Sequence, residues 1–249
     1  MKKVLLLFIS IFCLASCEIT EKIYFDEDHQ VTYSIESNLT QLMKLEPNKE
    51  QALAENYPID TVMTIEEFGA WDLMNDDNSS GDFQKESFKE LFKDFNVHVK
   101  LSQEDSYFSL FTKQNSVQEL NNVLSDLKRK ALKYEEEEGE TAPQNKLYYD
   151  YMFQNNQFNF DGKTLERNSE LNMNNIQELL NKENGDMGLT GFFYFTRYNV
   201  EYHFPRPIKS ISDKKAKVSL DRKTAFIEKS MDDILSNPNT MDIVIELQD

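Results

Sequence analysis

The stretch FFYFTRYNVEYHFPRP, residues 192–207, puts Phe192, Tyr194, Tyr198, Val200, Tyr202 and Phe204 on one parity and Arg197, Asn199, Glu201 and His203 on the other. Alternation of period two does not make a helix face; it specifies a strand with one side buried. Pro205 and Pro207 lack the amide proton that a ladder needs and end the strand. A strand of this kind folds only beside others, and the chain supplies them. Ile23 and Phe25 precede the turn Asp26-Glu27-Asp28-His29, with Val31, Tyr33 and Ile35 alternating after it. Val97, Val99 and Leu101 pair in the same style with Tyr107, Ser109 and Phe111 around Glu104-Asp105. Tyr149, Tyr151 and Phe153, then Phe158 and Phe160 before Asp161-Gly162, predict two more strands and a tight turn. Residues 217–220 and 224–228 pair around Asp221-Arg222, and Ile243, Ile245 and Leu247 predict a final strand.

Helical spacing is confined to a few segments. Ser116-x-x-Glu119 is a capping box, and Val117, Leu120, Val123, Leu124, Leu127 and Ala131 form one apolar face, which predicts a helix over 116–134. Ile65, Phe68 and Trp71, then Phe88, Leu91, Phe92 and Phe95, predict two shorter ones after a polar, partly helical stretch at 37–57. A further helix is predicted around Met173, Ile176, Leu179 and Leu180, and Ser230-x-x-Asp233 caps a short one that stops at Asn237-Pro238. The fold class is therefore α+β: mainly antiparallel β-sheet packed against a few helices. Residues 17–249 read as one body, with a possible division near 135–145, where the acidic run 135–138 gives way to Pro143. Phe160-Asp161-Gly162-Lys163-Thr164 and Leu220-Asp221-Arg222-Lys223-Thr224 share turn chemistry rather than a duplicated unit.

The N-terminus is built differently. Lys2 and Lys3 precede an apolar run of eleven residues, Val4 to Leu14, and then small residues, the layout of a secretory leader at 1–16. At ~1.5 Å per residue the run covers roughly 16 Å, short of a hydrocarbon core about 30 Å thick. Leu14-Ala15-Ser16-Cys17 resembles the lipobox of bacterial lipoproteins. The resemblance implies cleavage before Cys17 and lipid, including palmitate-type acyl chains, on Cys17, hence a membrane anchor. Glu18 stands where an inner-membrane retention signal would place Asp, which implies the outer membrane of a diderm bacterium. Glu18-Ile19-Thr20-Glu21-Lys22 is a poor surface-export cluster, so the expected side is the periplasm. The remainder of the chain looks like uncharacterised diderm envelope lipoproteins, a likeness that implies no particular activity.

Composition removes several classes of function. Without residues 1–16, 25 lysines and arginines face 44 acids, a formal charge of −19. Such a surface repels nucleic acid and anionic head groups. Cys13 leaves with the leader and Cys17 carries lipid, so no thiol remains for a disulfide, a nucleophile or a zinc site.

Three places merit attention as sites. Counted from Asp76, the loop 76–87 offers Asp76, Asn78 and Ser80 at positions one, three and five, Gly81 at six, Asp82 at seven and Phe83 at eight, with helices predicted on either side. This resembles an EF-hand calcium loop, although Ser87 stands where a bidentate Glu belongs and Glu86 comes one residue early. The alternative is an Asx- and Gly-rich turn. Arg197, Glu201 and His203 share the polar parity of their strand and are candidate ligand-binding residues, or carboxylate-based hydrolase residues, against a plain solvated face. The aromatic strands at 148–160 and 192–204 are either a groove for a peptide or sugar, or a core face. No P-loop, G-x-S-x-G or H-E-x-x-H occurs, so no catalytic residue is assigned, and no cofactor is expected beyond calcium. The expected role is non-catalytic binding or scaffolding of an envelope protein, peptide or glycan.

The two accounts of the 76–87 loop part on one measurement. If the loop holds calcium, millimolar calcium raises the melting temperature and Asp76→Ala abolishes the rise; an unchanged melting temperature leaves the turn alone.

Overall fold

The computed structural model describes residues 18–40, 58–69, 86–102, 104–138, 155–170, 197–230, 233, 237 and 239–249. Twelve strands and three helices lie among them; every described register is antiparallel, so the α+β class with dominant sheet holds. Two units divide the chain: Met1–Glu21 with Ser34–Thr112, and Lys22–Tyr33 with Lys113–Asp249. The strand at 149–153, the helix around Met173, the outer part of the aromatic strand at Phe192 and Tyr194, Trp71, residues 76–85 of the 76–87 loop and Cys17 all lie outside the described residues, while Glu86 and Ser87 begin a helix.

In the first unit, the residues of β2 (Val31–Asn38) that belong to it neighbour β5 (Tyr107–Gln114), followed by β4 (Asn96–Leu101) and β3 (Ile59–Thr64). β4 alternates as its sequence demands: Val97, Val99 and Leu101 are buried, while Asn96, His98 and Lys100 face the other way. Also buried in this unit are Ile59 and Met63 of β3, Phe108 of β5, Ile65 and Phe68 of α1 (Ile65–Gly69), and Leu91 and Phe92 of α2 (Glu86–Phe92). Thr64 starts α1. Its hydroxyl accepts from the Glu67 amide at 3.2 Å and its own amide donates to the Glu67 carboxylate at 2.8 Å, a reciprocal cap. The Thr64 amide, and then the Thr64 hydroxyl donating to the same carboxylate at 3.0 Å, hold the Glu67 carboxyl below its usual range. Sequence patterning missed β3. Only Ile59 and Met63 of its six residues are buried, four apart, so no alternation shows.

The second unit carries one sheet region and one separate sheet. In the first, β10 (Lys217–Val218), β11 (Thr224–Ser230), β8 (Arg197–His203) and the residues of β1 (Glu18–Phe25) that belong to this unit are neighbours in that order. The separate sheet runs β6 (Asn155–Phe160), β7 (Thr164–Glu170), β12 (Ile243–Leu247), β9 (Ile208–Ile211). α3 (Val117–Glu138) buries Val117, Leu120, Leu124, Leu127 and Ala131, the face that its heptad-like spacing defines, and extends through the acidic run at 135–138. Its cap departs from the pattern. Ser116 accepts from the Glu119 amide at 3.2 Å, but the Glu119 carboxylate takes the Asn115 amide at 3.1 Å instead of closing back on Ser116. At Ser230 the reciprocal box is complete, with the Ser230 amide to Asp233 and the Asp233 amide to Ser230 both at 3.1 Å.

Two strands of this unit defeat pattern reading for different reasons. β7 turns Leu165, Arg167 and Ser169 inward, and an inward arginine and serine erase its apolar parity. Arg167, 1% exposed, donates from Nε to Ser169 Oγ at 3.0 Å, from one terminal nitrogen to Tyr202 Oη at 3.0 Å and from the other to Asn156 Oδ1 at 3.0 Å. The guanidinium carbon also lies 5.3 Å from the Phe158 ring centre. β9 follows Pro205 and Pro207, where the chain was expected to leave the sheet. A register shift opposite it, between Glu246 and Leu247, breaks the simple alternation.

Turn chemistry falls where it was expected. Asp161 Oδ1 accepts the amides of Lys163 and Thr164 at 2.8 and 2.7 Å, and Gly162 adopts φ 88°. A Cβ at Gly162 would lie 2.6 Å from Cε1 of His29, the left-handed residue that closes the β1–β2 turn. The related turn places Arg222 at φ 61°, with Asp221 Oδ1 accepting the Lys223 amide at 3.1 Å.

Asn121 of α3 meets the free edge of β6, its Nδ2 donating to Phe158 O at 2.8 Å and its Oδ1 accepting from Phe158 N at 2.9 Å, all buried. Asn121→Ala strands a buried donor and acceptor together and is expected to cost about 2–3 kcal/mol of unfolding free energy, read from urea denaturation. A loss within the error of that method would show that water replaces the amide.

Candidate functional site

The outward face of β8 and its neighbours gathers the polar residues singled out above, with additions. His203 Nε2 lies 3.1 Å from Glu201 Oε2 on the same strand, both side chains one-quarter exposed. Across the strand pair Thr224 is the register partner of His203, and its hydroxyl sits 3.2 Å from His203 Nδ1. Tyr24 of β1 stacks on the imidazole with centroids 4.0 Å apart and planes 9° apart. Phe226, register partner of Glu201, is 39% exposed, and Tyr24 is 40% exposed. Arg197 does not join this group. It lies four residues from Glu201, about 13 Å along an extended chain, and its guanidinium meets Glu228 at 3.4 Å in an exposed pair.

A carboxylate can only accept, so His203 donates from Nε2 to Glu201, and in the neutral ring Nδ1 accepts the Thr224 hydroxyl proton. The hydrogen bond from His203 lowers the Glu201 carboxyl; burial opposes it, and the charge of Lys22, with that of His203 whenever the ring is protonated, adds to the lowering. The order carboxylate, imidazole, hydroxyl is that of a nucleophile relay. The two amides nearest the hydroxyl are engaged otherwise: β8 and β11 pair through the His203–Thr224 position, and the Thr224 amide donates to Ser219 Oγ at 2.9 Å. What the arrangement offers is a fixed polar–aromatic face. On the inward side of the same strand, Tyr202, Asp213, Thr240 and Asp242 help line a recess of about 10 Å³, room for one water.

Among the described residues, no group of three His, Cys, Asp or Glu side chains is placed to hold a metal ion. Asp76, Asn78, Ser80 and Asp82 lie outside those residues. Thr224, Tyr24 and Phe226 were missed in the sequence because they reach His203 and Glu201 only through strand register. Asp60 was missed with β3. In the first unit its carboxylate lies 2.7 Å from His98 Nε2, and the Tyr107 hydroxyl lies 3.2 Å from His98 Nδ1. Burial, then the charge of Glu36, pushes the Tyr107 hydroxyl up.

No family model and no curated protein sequence matches the chain. The folded domain of the Mycobacterium tuberculosis LppM protein, solved by NMR, is similar over 93% of this chain and 90% of that one, with 7% identity and a TM-score of 0.38. A likeness at that level carries no argument about fold or function.

Because Glu201 binds its proton less tightly in the folded chain than in the unfolded one, its contribution to stability is complete above the ordinary carboxylate range. It is lost as pH falls through the lowered value. A carbon-detected carboxyl titration is expected to place the Glu201 midpoint below the ordinary range and to move it upward in His203→Ala. Equal midpoints in the two proteins would remove the imidazole as the cause.

Proposed function

We propose that this chain is a lipid-anchored protein of the bacterial cell envelope that acts by non-catalytic binding. The observation that carries the anchor is the lipobox Leu14-Ala15-Ser16-Cys17 behind a basic and apolar leader too short to span a bilayer. Acyl chains on Cys17, at about 0.8 kcal/mol per buried CH₂, hold the protein stably at a membrane. With Glu18 following, the favoured address is the outer membrane, facing the periplasm. Calcium at 76–87 remains a subsidiary proposal with its own melting test.

The binding part of the reading is supported by the outward face of the second unit. Tyr24, His203 and Phe226 supply exposed ring surface beside Glu201 and Thr224, a set suited to an envelope protein, a peptide or a glycan. An excess of acids over bases disfavours nucleic acid. The order Glu201, His203, Thr224 favours a second reading, an envelope hydrolase, against which stands the engagement of the Thr224 amide by Ser219 Oγ.

The intact mass of protein purified from its native membrane, with protease added to intact cells, tests the anchor and its side. A chain starting at Cys17 with acyl mass and protected from protease is expected. Residues 1–16 retained on an unmodified chain would overturn the anchor, and cleavage on intact cells would move the protein to the outer surface.

A further inference from the structure

An exposed sheet edge offers unpaired amides and carbonyls to any extended chain, and folded proteins close such edges by covering, shortening, bulging or charging them. Among the described residues of the second unit, three edge strands are treated in this way. Asn121 occupies the outer backbone groups of Phe158 on β6. On β9, the Ile208 amide donates to Arg222 O at 2.7 Å, while Arg222 Nε donates to Ile208 O at 2.9 Å. β10 is two residues long.

β3 of the first unit carries a single charge, Asp60, and, among the described residues, none of the other treatments. It runs Ile59-Asp60-Thr61-Val62-Met63-Thr64, with neither lysine nor proline inside it. Its six register pairs with β4 are unbroken, so no bulge twists it away. It ends the strand order of its sheet, and among the described residues no backbone or side-chain group is bonded to the outer edge of Ile59–Met63. Val62 is 57% exposed and the Asp60 side chain 64% exposed.

We infer that β3 is a strand-addition site that takes an extended, basic segment of a partner protein. Main-chain bonds to the open edge supply the attachment, and side chains at alternate positions select the partner. On its other edge β3 already shows what it accepts: β4 places Lys100 opposite Asp60 and His98 opposite Val62. Charge selects a basic partner, because Asp60 faces outward, Glu66 and Glu67 follow at the start of α1, and the whole chain is strongly acidic. A second copy would bring two such acidic bodies together, which long-range repulsion disfavours.

The probe is a capped, fluorescent peptide with the sequence of residues 96–101, Asn-Val-His-Val-Lys-Leu, titrated with the mature chain in detergent and read by anisotropy. Saturable binding is expected, weakened about tenfold or more by N-methylation of alternate peptide amides along one edge. A comparable loss is expected in Val62→Lys, whose side chain is exposed and whose melting temperature should match the parent. Absence of binding at millimolar peptide, or binding insensitive to both changes, would overturn the proposal. Sedimentation of the chain alone as a dimer that Val62→Lys dissolves would assign the edge to a second copy and overturn it equally.

Discussion

A guanidinium cannot be taken out of water without acceptors placed around it, and Arg167 imposes that requirement on the centre of the second unit. Its donors point three ways, so Asn156 must stand beside it on β6, Ser169 two residues along on β7, and the Tyr202 hydroxyl must reach it from β8. Each of these positions is inward-facing, where an apolar residue would otherwise fill space. Tyr202 serves both purposes, its ring in the core and its hydroxyl on the arginine. The strand that carries Tyr202 on one side carries Glu201 and His203 on the other, so the acceptor requirement of one buried charge helps to orient the outward face as well.

What could be read in the sequence follows from which strands bury only apolar groups. β4, β8 and β12 alternate cleanly and α3 shows a full apolar stripe, so all four were legible. β7 was masked by the arginine it buries, β3 by its position at an edge, and β9 by a register shift in its partner. The helix cap at Ser116 was correct in residue type but not in geometry, since the Glu119 carboxylate found the Asn115 amide first. The candidate site divides along the same line. Glu201 and His203 share a strand and could be paired by parity, whereas Thr224 and Tyr24 come from strands distant in sequence and are joined only by register. Arg197 shared the parity but not the place, because parity fixes a side of the sheet and says nothing about distance along it.

The two described histidines on outward faces solve similar problems in different ways. His98 is held edge-on to Tyr107, with centroids 5.0 Å apart and planes 84° apart, while His203 lies flat against Tyr24. Both take a carboxylate on Nε2 and a hydroxyl on Nδ1. In each case the carboxylate fixes which nitrogen bears the proton, so the ring presents a defined donor and acceptor. Fixed tautomers of this kind suit recognition, because ring orientation need not be organised when a ligand arrives.

The position of β12 has a consequence for the order of events in folding. It is formed by residues 243–247 yet stands inside its sheet, between β7 and β9. While the chain is being made, β6 and β7 can pair as a hairpin, but β9 has no strand to join in that sheet until residues 243–247 emerge. The two central ladders of this sheet therefore wait for residues 243–247, and without them β7 and β9 would each expose an unpaired edge. Completion of this sheet is in that sense deferred until β12 is available, however early its other three strands are made.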